Sequence, residues 1–381
     1  MAALPAALPG AELLQACIRW SLGLESPAQI RERAGQLADW VAFLHSVQDQ
    51  GLAPLAADCL LTCSVDLPGT TALTLRNTLT ESARRVLLFT HELKLLLDAL
   101  ETAGISVIVL KGPSLAHLFY PEPAHRLFFD LDFLVRREDV SAAQAVLARE
   151  GYTEPGDEHF QRAASAFPAD AVETHLENKR KRIAADLHWG LLPPWFPARV
   201  PHGFRERAQH ACMDGRAVQT LGREDYVLYL CLHGAKHAWS GPGWLVDLCH
   251  VLQASLDLDY DALLKTARQN NAEGMLWFGL LTANQLAEGG IPALARAVAN
   301  AAAKAPQRVI LLTRQPNGEY LAWKLSDSRR AAARGLARLT VMPNAADWTS
   351  LRIPWRGFFF LYYPWRLLRL GRKYLTPRRA G

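Results

Sequence analysis

The sequence predicts an α+β protein, with a mixed α/β centre set between an N-terminal and a C-terminal helical region. Three observations carry this. Apolar residues recur at three- and four-residue spacing through the first hundred positions. Short β-branched runs then break that period between about residues 105 and 190, and it returns from Arg223 onward. The chain divides accordingly into residues 1–104, 105–222, 223–350 and a tail at 351–381. Its 381 residues, 50% apolar and 21% charged, suffice to bury a substantial core and are unlike those of a disordered or fibrous chain.

Taken in order, residues 11–22 and 30–47 read as amphipathic helices. Val86, Phe89, Leu93, Leu96, Leu97 and Leu100 form the clearest helical stripe, with Ser82 as its N-cap and Gly104 as its stop. Residues 105–110 are a β-branched run without helical period, a buried strand that ends in Lys111-Gly112-Pro113-Ser114. Residues 113–120 form a short helix closed by Pro121 and Pro123, 127–135 a second strand, and 139–150 a helix stopped by Gly151. Residues 158–167 and 182–189 are further candidate strands, the second preceded by the charged run Lys179-Arg180-Lys181-Arg182. Helices follow across 225–239, 244–256, 260–270 and on to about residue 304.

Asp130 and Asp132 lie inside a run of Phe, Leu and Val, where ionised groups are costly to place. Strand side chains alternate, so the two carboxylates share a face and repel each other unless a cation lies between them. A divalent metal is the simplest occupant; strand-end acids in solvent are the alternative. Lys111-Gly112-Pro113-Ser114 sits where backbone amides, a hydroxyl and an ammonium can converge on phosphate oxygens, or else is an ordinary turn; it is not a Walker A loop. Asp186 and His188 repeat the pattern of an acid and a polar partner two apart on a strand. The acid can join the first pair, and His188 reads either as ligand or base or as a hydrogen-bonded core histidine. Cys231, His233, His237 and His250 include a metal-compatible i, i+4 histidine pair but lack the Glu of a His-Glu-x-x-His arrangement. Cys59 and Cys63 read as core thiols, and the 179–182 run either steers a polyphosphate or solvates a hairpin turn.

The order of these pieces carries a resemblance. A strand, Lys111-Gly112, a short helix ending in Leu118-Phe119-Tyr120-Pro121, then Arg126, Phe129-Asp130-Leu131-Asp132-Phe133-Leu134-Val135 and Asp186-Leu187-His188-Trp189 follow one another. In this the chain resembles the nucleotidyltransferase family 5 group of uncharacterised bacterial nucleotidyltransferases, within the DNA polymerase β-like superfamily. The similarity runs from about residue 82 to about 252, taking in Leu232-His233-Gly234-Ala235-Lys236-His237 and Trp244-Leu245-Val246-Asp247-Leu248, and residues 360–368 resemble the tail of such proteins.

The resemblance implies a small mixed sheet with flanking helices. It implies that Asp130 and Asp132 bind Mg²⁺ (or Mn²⁺) and a nucleoside triphosphate, with Asp186 as third carboxylate and base for an acceptor hydroxyl. Lys111, Gly112 and Ser114 would face the phosphates and Arg126 would help neutralise them, although Pro113, which lacks an amide hydrogen, separates Gly112 from Ser114 where the superfamily usually has Gly-Ser. The implied reaction moves a nucleotidyl group to a small-molecule or peptide acceptor, in natural-product or polysaccharide biosynthesis. The alternative is a non-catalytic nucleotide- or partner-binding protein with the same fold. The helices after Arg223 are expected to form the acceptor side, with His188, His233, Lys236 and Trp239 as contacts. Replacing either strand acid by Asn is expected to leave the metal-free fold intact or slightly stabilised, because like-charge repulsion is relieved.

Net charge is +5, but residues 351–381 carry eight Lys and Arg and no acid, which leaves the first 350 residues at −3. A uniformly basic surface for nucleic acid is not what this describes, and no sequence-specific nucleic-acid partner is expected. In the tail, Trp355, Phe358, Phe359, Phe360, Tyr362, Tyr363 and Trp365 interleave with arginines. That suits either an interfacial helix on a membrane or acidic partner, or aromatics packed on the body with arginines pointing outward. The uncharged stretch at 275–287 is shorter than a membrane span, and residues 1–9 lack the marks of a secretory signal, so the expected location is cytoplasmic, at most peripheral to the membrane's inner face.

Overall fold

Local capping signals cut the N-terminal region into more helices than its apolar period suggests. In the computed structural model, which describes residues 8–155, 171–304 and 321–375, α1 (Ala11–Ser21), α2 (Pro27–Gly35), α3 (Trp40–Asp49) and α4 (Ala53–Thr62) precede a long α5 (Gly69–Thr102). The single helix expected over 30–47 is two, because Asp39 caps a fresh start: its carboxylate accepts from the Ala42 N–H at 2.9 Å. The cap expected at Ser82 is corrected as well. Ser82 is buried in the middle of α5, and its hydroxyl donates to the Ala124 carbonyl at 2.6 Å. Upstream of it the helix runs through a Thr-rich stretch whose hydroxyls bond one turn back, Thr74 to the Thr70 carbonyl and Thr78 to the Thr74 carbonyl, each at 3.0 Å. Gly104, at φ +75°, stands just past the helix end as expected.

The sheet follows. It is built from β1 (Ile108–Val109), β2 (Asp130–Leu134), β3 (Glu173–Asn178), β4 (Ile183–His188), β5 (Gln209–Met213) and β6 (Arg216–Thr220), with α6 (Pro113–Phe119) between β1 and β2 and α7 (Val140–Arg149) after β2. Its order is β3-β4-β2-β1-β6-β5; β2 runs parallel to β4 and β1 to β6, while the other neighbours are antiparallel. The protein is therefore α+β with a small mixed sheet. The strand candidate at 158–167 lies outside the described residues. The β5–β6 hairpin, absent from the expected strands, turns on Asp214 and Gly215, both at positive φ.

Alternation gives the sheet two unlike faces. Val107, Val109, Leu131, Phe133, Ala185 and Leu187 pack on one side against α5 and α7, through side chains such as Phe89, Leu96 and Leu147. The intervening residues Asp130, Asp132, Asp186 and His188 take the opposite side, beneath α8 (Arg223–Lys236). There α8, α9 (Gly243–Ala254), α10 (Tyr260–Gln269), α11 (Glu273–Leu286) and α12 (Pro292–Lys304) share one continuous apolar core with α1–α4. Cys17, Ile18 and Leu55 from the N-terminal helices join Leu228, Val246 and Phe278, and the cluster reaches Ile108, Leu110 and Leu134 of the sheet. The chain ends with α13 (Leu321–Leu325), α14 (Arg329–Val341), α15 (Ala345–Ser350), a 3-10 turn at Arg356–Leu361 and α16 (Tyr362–Leu375). Leu321, Ala322 and Leu325 of α13 join the large core, and the stretch after α14 has its own small core of Trp348, Ile353, Phe359 and Tyr362. Among the described residues no helix is long and apolar enough to cross a membrane.

Candidate active site

Register brings the acids together. β2 and β4 are parallel neighbours in which Asp132 stands opposite Asp186, and the period of two puts Asp130 and His188 on the same face. Antiparallel β3 adds Glu173 opposite His188 and His175 opposite Asp186. The loop after β1 closes the arrangement, and only glycine fits there: Gly112 has φ +61°, and a Cβ would lie 2.8 Å from the Asp130 carbonyl oxygen. This close approach lays the Lys111-Gly112 loop on the start of β2. Lys111 Nζ lies 3.3 Å from Asp132 Oδ1.

The buried carboxylate of Asp132 is held by cations on two sides. His188 Nε2 donates to its Oδ1 at 3.0 Å, and His188 Nδ1 lies 3.0 Å from Glu173 Oε2, whose partner oxygen is 3.3 Å from Lys236 Nζ. Burial works against the ionised Asp132, yet Lys111 and His188 override it and hold the carboxyl well below the usual range. Burial likewise opposes a charged His188, but hydrogen bonds to Asp132 and Glu173 raise it to about 9. Glu173 is lowered to about 2, chiefly by its bond to His188. Asp130 goes the other way: burial, then the charge of Asp132, push it up to about 6. The two acids therefore differ: removing Asp132 takes the carboxylate from Lys111 and leaves His188 with Glu173 alone.

One oxygen in this cluster has no partner. Asp132 Oδ2 is buried without a hydrogen bond, and ligand atoms of Asp132, Asp186 and His188 all lie within 4.8 Å of one another. Two carboxylates and an imidazole around an unsatisfied oxygen fit a divalent cation. His188 can join such a set only as neutral imidazole, so it enters by giving up a proton. Asp130 is not in that grouping, although it lines the same cleft of about 320 Å³ with Asp186, His188, His233 and Lys236.

Other expected residues fall out as follows. Ser114 is fully buried and its hydroxyl donates to the Lys111 carbonyl at 2.6 Å, which starts α6 and turns the group away from the cleft. Arg126 reaches the cleft wall but is committed to Asp247, with Nε to Oδ1 at 2.7 Å and Nη2 to Oδ2 at 2.9 Å, and its Nη1 donates to the Gly112 carbonyl at 3.1 Å. It braces the loop that carries Lys111. Trp239 does not reach the cleft: it is buried between α8 and α11, and its ring would meet a Cβ at Gly234 at 2.6 Å. His233 and His237 do line the cleft, ring centroids 4.6 Å apart, and burial favours their neutral forms, with His237 lowered to about 4. His250 lies elsewhere, its ring tilted by 30° against Tyr120 and its Nε2 3.2 Å from Ser21 Oγ. Cys59 and Cys63 are buried in the helical core.

Sequence reasoning missed Glu173, His175 and Asp247. The alternation Glu173-Thr-His175-Leu-Glu177 marks a strand with one charged face, though not the partners of that face, and Asp247 on α9 carries no such signal. His175 Nδ1 lies 2.6 Å from Asp186 Oδ1, and although burial opposes its charge, that bond raises its pKa.

Among curated proteins and among solved structures, none matches this chain. One protein family does match, described as uncharacterised nucleotidyltransferase, over residues 36–288, which span α3 to α11 and the whole described sheet. The chain belongs to this uncharacterised nucleotidyltransferase family.

Proposed function

We propose that the cleft binds a nucleoside triphosphate together with Mg²⁺ or Mn²⁺ and transfers its nucleotidyl group to a hydroxyl of a small-molecule or peptide acceptor. The observation that carries this is Asp132 opposite Asp186 on adjacent strands, with Asp132 Oδ2 unsatisfied, beside a cleft that Lys111 and Lys236 also line. Asp132 and Asp186, with Asp130 or His188 alongside, would hold the cation, which would supply Lewis acidity for the transfer. Lys111 and Lys236 are placed to hold phosphate oxygens, each with a carboxylate to return to when the cleft empties. Asp186 takes the acceptor proton at the oxygen facing the cleft while His175 holds the other. Phe129 and Trp244 offer flat apolar walls, and both also border a second cavity of about 200 Å³ past Arg126, edged by Gly51, Leu52 and Gly243, with room for the acceptor.

The test is a thermal shift of wild type and Asp132→Asn with each of the four common triphosphates, with and without Mg²⁺ or Mn²⁺. Wild type is expected to be stabilised only when triphosphate and cation are both present, and the variant by neither combination. An equal shift in both proteins would remove Asp132 from the nucleotide site and end this reading. Pyrophosphate release on adding a metabolite extract, lost in Asp186→Asn, separates a transferase from a protein that only binds nucleotide.

A further inference from the structure

The C-terminal helix α16 is inside out for a helix in water. Two of its arginines turn inward: Arg366, only 5% exposed, pairs with the fully buried Asp347 at 2.9 Å and donates to the Leu339 carbonyl, and Arg369 Nε reaches the other Asp347 oxygen at 2.7 Å. Tyr362 packs into the small core, but the end of the preceding turn and the helix together present an apolar face outward. Phe360 and Leu368 are each 60% exposed, and Leu361, Pro364 and Leu367 lie between them at the three- and four-residue spacing of one helix face. The preceding turn continues the patch with exposed Trp355 and Phe358, ring centroids 5.9 Å apart. An isolated apolar side chain on a surface is ordinary; a continuous outward face with the arginines folded underneath is not.

We infer that this face docks on an anionic lipid surface, lying in the plane of the interface. Three observations select that occupant. Asp347 is the last acid of the chain, so the 34 residues after it carry eight Lys and Arg and no counter-charge of their own. A second copy of the same face would bring like charge against like charge, whereas phosphate headgroups complement it. The pairing of Arg366 and Arg369 with Asp347 removes two cations from the flank of the apolar stripe, which lets the stripe sink while exposed Arg352 and Arg372 stay at headgroup depth. Trp355 stands at the edge of the patch, where an indole is suited to the boundary between headgroups and acyl chains. The face is long enough to lie along the interface, and among the described residues no helix is long and apolar enough to cross the bilayer.

Flotation of the full chain decides it, using vesicles of phosphatidylcholine alone and of equimolar phosphatidylcholine and phosphatidylglycerol. Wild type is expected to rise with the anionic vesicles, to stay down with the neutral ones, and to be released by high salt. Joint Phe360→Ser and Leu368→Ser substitutions, at exposed positions outside the small C-terminal core, should leave the melting temperature unchanged and cut the bound fraction at least about tenfold. Arg372→Gln should cost roughly fivefold. Failure of wild type to float with either vesicle, or equal flotation with both, overturns the inference. So does sedimentation showing a lipid-free dimer that the double substitution dissolves, which would give the face to a second copy.

Discussion

Asp130 and Asp132 are two residues apart on one face of one strand, and their surroundings drive them in opposite directions. Asp132 sits between Lys111 and His188 and favours its charge; Asp130 has no such pair and is held up to about 6 by burial and by its neighbour. A carboxyl raised in the fold contributes stability that is complete below the unfolded value near 3.8 and is lost as pH climbs through 6. Without metal, Asp130→Asn should therefore match wild type in stability below about pH 4 and exceed it above pH 7 by on the order of 3 kcal/mol. Asp132→Asn should do the reverse at neutral pH and lose roughly 3 to 5 kcal/mol, because Lys111 loses its carboxylate and His188 keeps only Glu173. Urea denaturation in EDTA across this pH range measures both. Equal behaviour of the two variants would show that the cations do not single out Asp132.

At the scale of elements, the sequence was most legible where one rule acted alone. The runs at 127–135 and 182–189 became β2 and β4, and the acid pair sat on the strand as its alternation required. Legibility failed where a local signal competed with the period. Thr-rich residues 70–80 look like strand in composition, yet α5 begins at Gly69 and the hydroxyls of Thr74, Thr78 and Thr80 bond to the preceding turn. Cys212 and Met213, with Asp214-Gly215 after them, carried a hairpin signal too short to stand out without its partner β1. Of the site, the residues on β2 and β4 could be read from position alone. Glu173 and Asp247 could not, because they matter only through His188 and Arg126, which are 15 and 121 residues away. The same dependence on contact makes Gly112 informative. Gly112→Ala forces a side chain against the Asp130 carbonyl in a left-handed backbone, and should cost about 1 to 3 kcal/mol and displace Lys111. A melting-temperature drop accompanied by weaker triphosphate binding is the expected result; a drop with unchanged binding would mean that the loop does not position Lys111 for phosphate.

The whole molecule is organised around a sheet that is apolar on one face and chemical on the other. The apolar face depends on α5 and α7, and the chemical face on α8, whose Lys236 bonds to Glu173 and whose Tyr226 donates to the Leu110 carbonyl. α8 in turn belongs to a core shared with α1–α4, so the cleft is braced by helices from both ends of the chain. The division at residues 104 and 222, natural in the sequence pattern, cuts through both supports. A fragment spanning 105–222 would lose Phe89, Leu93, Leu96, Leu97 and Leu100 from beneath the sheet, burial worth on the order of 10 kcal/mol and comparable to the stability of an entire domain. It would also bare Asp130, Asp132 and Ile108 on the other face. We therefore expect the fragment to lack a cooperative thermal transition and dispersed amide resonances, while the full chain shows both. A fragment that melts cooperatively on its own would show that the nucleotidyltransferase sheet carries its own core and that the helices serve only the acceptor side.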